Sequence, residues 1–251
     1  QNVSRSTWPR HLSPLFFCVH TTHFPMRPSV RPPPKTATLT TASINNEDPA
    51  TRYDIVGIIG RGSYGKVYAA TDRFSGAKVA IKSIPADETD DEAAHAELAR
   101  EADVLRRCAY PFIVSFYGAF FHERTLYVAT QLCEAGSLLD VLRAQLRLHG
   151  TASLTEPALL AVATAATAAL RYLHDEARVL HRDLKGANLL LTARGEVKLC
   201  DFGVSAQLTS TMPRRSTVIG TPHWMSPELI GGCDYDAAAD VWSLGITAIE
   251  L

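Results

Sequence analysis

No acidic residue precedes Glu47, although that opening stretch carries five basic ones. Residues 47–251 then hold 20 basic against 26 acidic side chains, so the net charge of −1 conceals a basic leader joined to an acidic remainder. That remainder lacks the basic surplus of a nucleic-acid-binding domain, and no nucleic-acid partner is expected. Cysteine is scarce: Cys18, Cys108, Cys133, Cys200 and Cys233 are odd in number, far apart and without C-x-x-C spacing. This argues against a disulfide scaffold or a zinc site and fits a reducing compartment, so a cytoplasmic location is expected. Long apolar runs are missing as well. The longest candidate, Ala158–Leu170, is broken by Thr164 and Thr167. It falls short of a membrane span and reads as a buried helix. Apolar residues at 46% and charged residues at 20% are the proportions of an ordinary globular chain, long enough to bury a core.

Residues 1–46 also hold seven of the fourteen prolines, three of them consecutive at Pro32-Pro33-Pro34, among many Ser and Thr. Proline removes backbone donors and fixes φ, so residues 1–50 are expected to form a disordered, Pro/Ser/Thr-rich leader. Leu15–Val19 is too short for a secretory core. An acid-free, Arg- and Ser-containing composition is compatible with an organellar transit peptide in residues 1–46, the alternative to a cytoplasmic location. The first residue is Gln1 rather than Met, and the true start is expected to lie upstream.

The most informative stretch runs from His181 to Gly203: H-R-D-L-K-G-A-N, a short hairpin, then K-L-C-D-F-G. Asp183 can accept a proton from a hydroxyl, and Lys185 can steady a transferring phosphate. Asn188 and Asp201 are hard oxygen ligands of the kind Mg²⁺ prefers. Together these are the groups that move a phosphoryl group from a metal-bound nucleotide to a hydroxyl, chemistry that needs positioning and charge neutralisation more than a covalent nucleophile. A loop with incidental charges would not be expected to keep this order.

Upstream, I-I-G-R-G-S-Y-G-K-V spans Ile58–Val67 and V-A-I-K spans Val79–Lys82. Gly60, Gly62 and Gly65 let a hairpin backbone come close to phosphates without Cβ clashes. A dinucleotide-binding turn would need a helix to open at these glycines. Lys66-Val67-Tyr68-Ala69 continues instead as a strand, which favours a nucleotide-clamping hairpin. Lys82 ends a strand in which Val79 and Ile81 face opposite to Ala80 and Lys82. A buried lysine requires an acidic partner, and the helical segment Asp87–Cys108 offers Glu97 and Glu101, between which spacing does not choose.

Phe112–Phe121 and Leu126–Gln131 read as consecutive strands joined by the polar turn His122–Thr125. Gly136 breaks that pattern. Leu138–Leu148 is helical, and Thr155 is the expected N-cap of a helix ending near Tyr172–His174. The segment from Asp201 to Glu228 is rich in Ser and Thr and contains Arg214-Arg215, the composition of a loop that phosphate could order. In Asp234–Leu251, Val241, Leu244, Ala248 and Leu251 are spaced to face one way, with Trp242, Ile246 and Ile249 on a second apolar face. A helix apolar nearly all round is expected to be central.

The glycine loop, V-A-I-K, H-R-D-L-K-G-A-N and D-F-G together resemble the eukaryotic protein kinases over about residues 53–251. V-I-G-T-P-H-W-M-S-P-E and A-D-V-W-S-L-G-I-T-A-I-E-L are similar to the sterile-twenty-like serine/threonine group. P-F-I-V-S-F-Y-G-A-F and K-L-C-D-F-G-V-S are similar to the dual-specificity mitogen-activated protein kinase kinases, the runner-up. Those carry two phosphorylatable residues four apart, but here Pro213 stands opposite Thr217. The resemblance implies an α+β, two-lobed kinase-like fold. Its small β-rich N-lobe covers 53–131, its hinge 131–136 and its mainly helical C-lobe 137–251, the last expected to be incomplete because the chain stops inside a central helix.

The same resemblance implies ATP and Mg²⁺ as cofactors, and protein substrates with Ser/Thr acceptors. Asp183 is then the proton acceptor, supported by Lys185 and Thr221, while Asn188 and Asp201 hold Mg²⁺. Lys82, paired with Glu101, binds the phosphates. Ile59, Gly60, Gly62, Ser63, Tyr64, Gly65, Val67, Ala80, Leu190 and the hinge residues Gln131 and Cys133 surround the nucleotide, with Thr130 as gatekeeper. Leu105, Phe116, His181 and Phe202 would stack into a regulatory spine anchored by Asp240, making His181 a core histidine. Thr217 is the expected activating phosphosite, used by an upstream kinase or by trans-autophosphorylation. Cys200, beside the metal acid, is a candidate for covalent ligands. Gln131, His223 and Ser226 depart from the family's common residues without touching the chemistry. A pseudokinase or a non-functional fragment is the alternative from another class. The intact set Lys82, Glu101, Asp183, Asn188 and Asp201 speaks against it.

Overall fold

After Tyr53 the chain alternates β-branched and aromatic residues with small ones, and it folds into five antiparallel strands: β1 (Tyr53–Gly62), β2 (Gly65–Asp72), β3 (Lys78–Pro85), β4 (Phe116–His122) and β5 (Thr125–Gln131). They are ordered β1-β2-β3-β5-β4. The structure, a computed structural model, describes residues 45–62, 65–85, 102–201 and 221–251. Period-two alternation gives the sheet two apolar faces. Tyr53, Ala70, Val79, Ile81, Phe120 and Ala129 pack on one, and Ile84, Leu126 and Val128, with Leu105 and Phe116, on the other. The second face carries Ala80 and Lys82.

Three boundaries differ from expectation. β3 runs on to Pro85 because Ser83 and Ile84 keep pairing with Tyr127 and Leu126. β4 begins at Phe116, four residues later than expected. Ile113 leaves the sheet to form a bridge with Leu199, whose N–H donates to the Phe112 carbonyl. Residues 45–50, placed in the leader by composition, already pack beside the sheet. The Asn45 carbonyl accepts the Phe121 N–H on edge strand β4, and Asp48 caps the turn Pro49–Thr51 by accepting the Ala50 N–H. The rest of the leader lies outside the described residues.

A second, three-stranded sheet joins β6 (Gly136–Ser137), β7 (Leu189–Leu191) and β8 (Val197–Leu199). Ser137 and Asp140 form a reciprocal capping box that starts α1 (Leu138–His149), and Gly150 ends it in the left-handed region at φ 74°. Thr155 precedes α2 (Glu156–Arg171) as expected, but the first-turn proline sets the start without a side-chain cap bond. One wide turn, Tyr172–Ala177, follows. Leu138, Leu142, Val162, Leu173, Leu184 and Leu199 form the main core between these helices and β7–β8.

Past residue 220 come α3 (Pro227–Ile230) and α4 (Ala238–Glu250). The orientation of α4 corrects the apolar-face expectation. Leu244 and Leu251 do reach the core, but Val241 is 60% exposed, and the buried face is Ala239, Asp240, Ser243 and Thr247. The reason is local. The neighbouring loop 181–186 and the turn before α3 present backbone groups that need partners, so α4 turns its polar stripe inward. Ser243 donates to the Trp224 carbonyl at 2.8 Å, and Asp240 accepts from the backbone at His181 and Arg182. Trp242 and Ile249 stand exposed.

Candidate active site

The site is built outward from Asp240, which is 1% exposed. Its Oδ1 accepts the Arg182 N–H at 2.7 Å; its Oδ2 accepts the His181 N–H at 2.8 Å and faces His174 Nε2 at 2.7 Å. Burial works against the charge of Asp240, but the His174 bond and the backbone donors of His181 and Arg182 outweigh it and hold the carboxyl below its usual range. This anchor fixes Arg182 at φ 67°, a left-handed conformation that costs a non-glycine residue about 1–3 kcal/mol. The Arg182 guanidinium also lies over the Tyr235 ring, 5.2 Å from its centroid. His174 is a partner that sequence reasoning missed. Its spacing of seven from His181 gave no signal, because the wide turn 172–177 was not foreseen.

His181 is fully buried and neutral, since burial pushes its pKa down. Its Nδ1 accepts the Asp183 N–H at 3.2 Å, so Nε2 carries the proton and donates to the Cys200 carbonyl at 2.9 Å. A core histidine thus joins the two halves of the H-R-D…D-F-G string, as expected. Leu105 and Phe116 both pack, partly buried, against the cluster of Ile84, Leu126 and Val128; Phe202, the fourth expected spine member, lies outside the described residues.

Four groups converge on Asp183. Lys185 Nζ reaches its Oδ2 at 2.7 Å and the Thr221 hydroxyl at 2.6 Å. Thr221 donates its hydroxyl to Oδ1 at 3.0 Å and its N–H to the same oxygen at 3.2 Å. Asn188 Nδ2 donates to the Asp183 carbonyl at 2.8 Å and approaches Oδ2 at 3.2 Å. With its amide nitrogen so engaged, Asn188 leaves its side-chain oxygen as a ligand. The Cys200 N–H bonds the Asn188 carbonyl at 3.0 Å, which sets Asp201, one residue on, beside Asn188. Asp201 sits at φ 60°, and its Oδ1 meets Lys82 Nζ at 2.7 Å.

Strand register delivers Lys82. It lies opposite Val67 on β2 and Val128 on β5, while Ala80 lies opposite Thr130. Val67, Ala80, Lys82 and Thr130 therefore share the face turned toward Asp201. Leu190 pairs with Ser137, just past the hinge. The Gln131 N–H is already donated to the Ser115 carbonyl at 2.8 Å. Gly65 has φ 146°, and a Cβ there would come within 1.8 Å of the Ser83 carbonyl. Glycine is obligatory at that position because the start of β2 lies tight against the Ser83 backbone of the neighbouring strand β3, an additional reason beyond phosphate approach. At Gly60 an added Cβ would make ordinary contact with Val67. Ile59 and Gly62 lie on β1, whereas Ser63, Tyr64, Glu101 and Thr217 lie outside the described residues, and so does the expected Lys82–Glu101 pair.

Three of the described cysteines, Cys108, Cys133 and Cys200, are chemically quiet. Burial pushes the Cys133 thiol up to about 11 and that of Cys108 to about 12. Cys200 is raised well above its usual range by burial and then by the Asp201 charge, and its thiol donates to the Asn188 carbonyl. A thiol so held is a poor nucleophile, which weighs against its use by covalent ligands.

Among the described residues no group of three or more His, Cys, Asp or Glu forms a metal cage. Two oxygen ligands beside a lysine suit a cation that takes its remaining ligands from phosphates and water, which is how Mg²⁺ is commonly bound.

The family model "Protein kinase domain" matches residues 53–251. The chain belongs to that family, whose members use ATP and act on proteins. Serine/threonine-protein kinase cst-1 of Caenorhabditis elegans is 44% identical over 210 residues, covering 84% of this chain and 40% of that protein. Serine/threonine-protein kinase dst1 of Dictyostelium discoideum is 43% identical over 205 residues (82% and 26%), and serine/threonine-protein kinase hippo of Drosophila melanogaster is 42% identical over 205 residues (82% and 29%). The chain thus spans less than half the length of these relatives. The expected placement in the sterile-twenty-like serine/threonine group stands with them. No described helix is long and apolar enough to cross a membrane.

Proposed function

We propose that this chain transfers the γ-phosphoryl group of ATP, bound with Mg²⁺, to serine and threonine hydroxyls of protein substrates. The observation that carries the reading is the Asp183 carboxylate held by Lys185, Thr221 and Asn188, next to the Lys82–Asp201 pair. Asp183 accepts the proton of the incoming hydroxyl and orients it. Lys185, bridging Asp183 and Thr221, offers a positive charge where the transferred phosphate gathers negative charge; this bridge supports serine/threonine over tyrosine acceptors. Asn188 and Asp201 would hold Mg²⁺, which neutralises phosphate charge when bound. Lys82 binds the nucleotide phosphates, with Glu101 as its further partner, and Val67, Ala80 and Leu190 enclose the base near the hinge. Such a site works by positioning and electrostatics.

The same reading divides the domain into a strand-rich lobe over 53–131, a hinge over 131–136 and a helical lobe from 137. It places the protein in a cytoplasmic signalling cascade, switched on by phosphate on Thr217 from an upstream kinase or a second copy. The intact ion pair Lys82–Asp201 favours turnover over a binding-only role. The test is phosphate transfer from labelled ATP to a mixed peptide substrate, followed by phosphoamino-acid analysis. Label on Ser and Thr is expected, abolished by chelating Mg²⁺ and by Lys82→Met. Label on tyrosine alone, or transfer that survives both treatments, would overturn the reading.

A further inference from the structure

Glu250 sits in the last turn of α4, where the negative end of the helix dipole disfavours a carboxylate. Its contacts explain the position. Oε2 accepts the Gly186 N–H at 3.0 Å and the Trp224 indole N–H at 3.2 Å. These donors flank Asp183 from two sides. Gly186 follows Lys185 and opens the turn Gly186–Asn188 that delivers Asn188. Trp224 closes the turn Pro222–Trp224, which starts from Thr221. A Cβ on residue 186 would come 3.0 Å from Oε2 and 3.3 Å from the Leu251 side chain, so glycine leaves room for the carboxylate to reach the amide. Ser243, two turns back on the same helix, holds the Trp224 carbonyl, so α4 grips this residue at backbone and ring alike.

We infer that Glu250 is a positioning residue for phosphoryl transfer, a carboxylate clamp locking the Lys185–Gly186 and Thr221–Trp224 segments together so that Lys185 and Thr221 keep Asp183 aimed. It acts through those two residues rather than on Asp183 directly. The inference rests on the kinase reading above. A clamp of this kind needs an acceptor oxygen and not a charge, which separates it from a group that pairs with a cation.

The test uses the full chain and three variants. Glu250→Ala is expected to lower kcat about 10- to 100-fold, as misplacing a catalytic group does, with the KM for ATP held within about twofold. Glu250→Gln, which keeps an acceptor, should recover most of the loss, and Trp224→Phe should fall between the two. Hydrogen exchange of the Gly186 amide and Trp224 indole should speed up in Glu250→Ala and stay slow in Glu250→Gln. An unchanged kcat in Glu250→Ala, or Glu250→Gln as impaired as Glu250→Ala, would overturn the inference. If Glu250→Ala fails to fold, the two milder variants decide: Trp224→Phe at wild-type kcat overturns the clamp. A wild type without transfer would defeat the kinase reading instead, and unchanged exchange in Glu250→Ala or, if that variant does not fold, in Trp224→Phe at the Gly186 amide would then defeat the clamp on its own.

Discussion

Two oxygens of Asp240 take up the N–H groups of His181 and Arg182 and face a ring nitrogen of His174, all at 2.7–2.8 Å. In Asp240→Asn one oxygen becomes an NH₂ that must face a donor, leaving a buried N–H unmet. Breaking a buried, hydrogen-bonded charge in this way is expected to destabilise the chain by about 3 kcal/mol and to depress turnover further, because Arg182 then lacks the bond that holds its strained backbone. Urea unfolding and kcat measured on the same preparations check this; a loss below about 1 kcal/mol, the worth of an ordinary hydrogen bond, would show that Asp240 is not the anchor. The role of Asp240 was legible because its place in A-D-V-W-S-L-G matches a family pattern. His174 and Glu250 were not legible: each acts through a contact more than 60 residues away in sequence, which no local pattern encodes.

At the scale of elements, hydropathy misled where backbone demand outweighed it. The apolar periodicity of α4 pointed Val241 inward, yet the loop 181–186 and the Trp224 carbonyl required hydrogen-bond partners, and Asp240 and Ser243 took the buried face. β3 and α1 were easier, because β-branched runs and a Ser-x-x-Asp cap act locally. The β2–β3 turn makes a prediction of its own. Asp72 Oδ1 accepts the Phe74 and Ser75 N–H groups, and Oδ2 accepts from Arg52. Chiefly through the Ser75 bond, with the Arg52 and Phe74 bonds adding, its pKa falls from 3.8 to about 2. A depressed folded-state pKa means that the stabilisation is complete above pH 3.8 and is lost as pH falls through about 2. The stability gap between wild type and Asp72→Asn should therefore be constant near neutrality and close between pH 4 and 2. A gap that widens on acidification would contradict it.

For the whole molecule, two sheets and a set of helices bring together groups spread from Lys82 to Thr221. The ordered motif strings made nearly every one of these groups legible in the sequence, whereas their mutual geometry came from β3–β5 register and from α4. The central claim is that Asp183 is the proton acceptor in phosphoryl transfer. Single-turnover transfer by wild type and Asp183→Asn, at saturating ATP and with nucleotide affinity measured alongside, tests it most directly. Asparagine keeps the shape and the bonds from Thr221 but cannot take a proton. Nucleotide affinity is expected to be unchanged and the transfer rate lower by about 10²–10⁴-fold; a variant retaining more than about a tenth of the wild-type rate would show that Asp183 is not the proton acceptor.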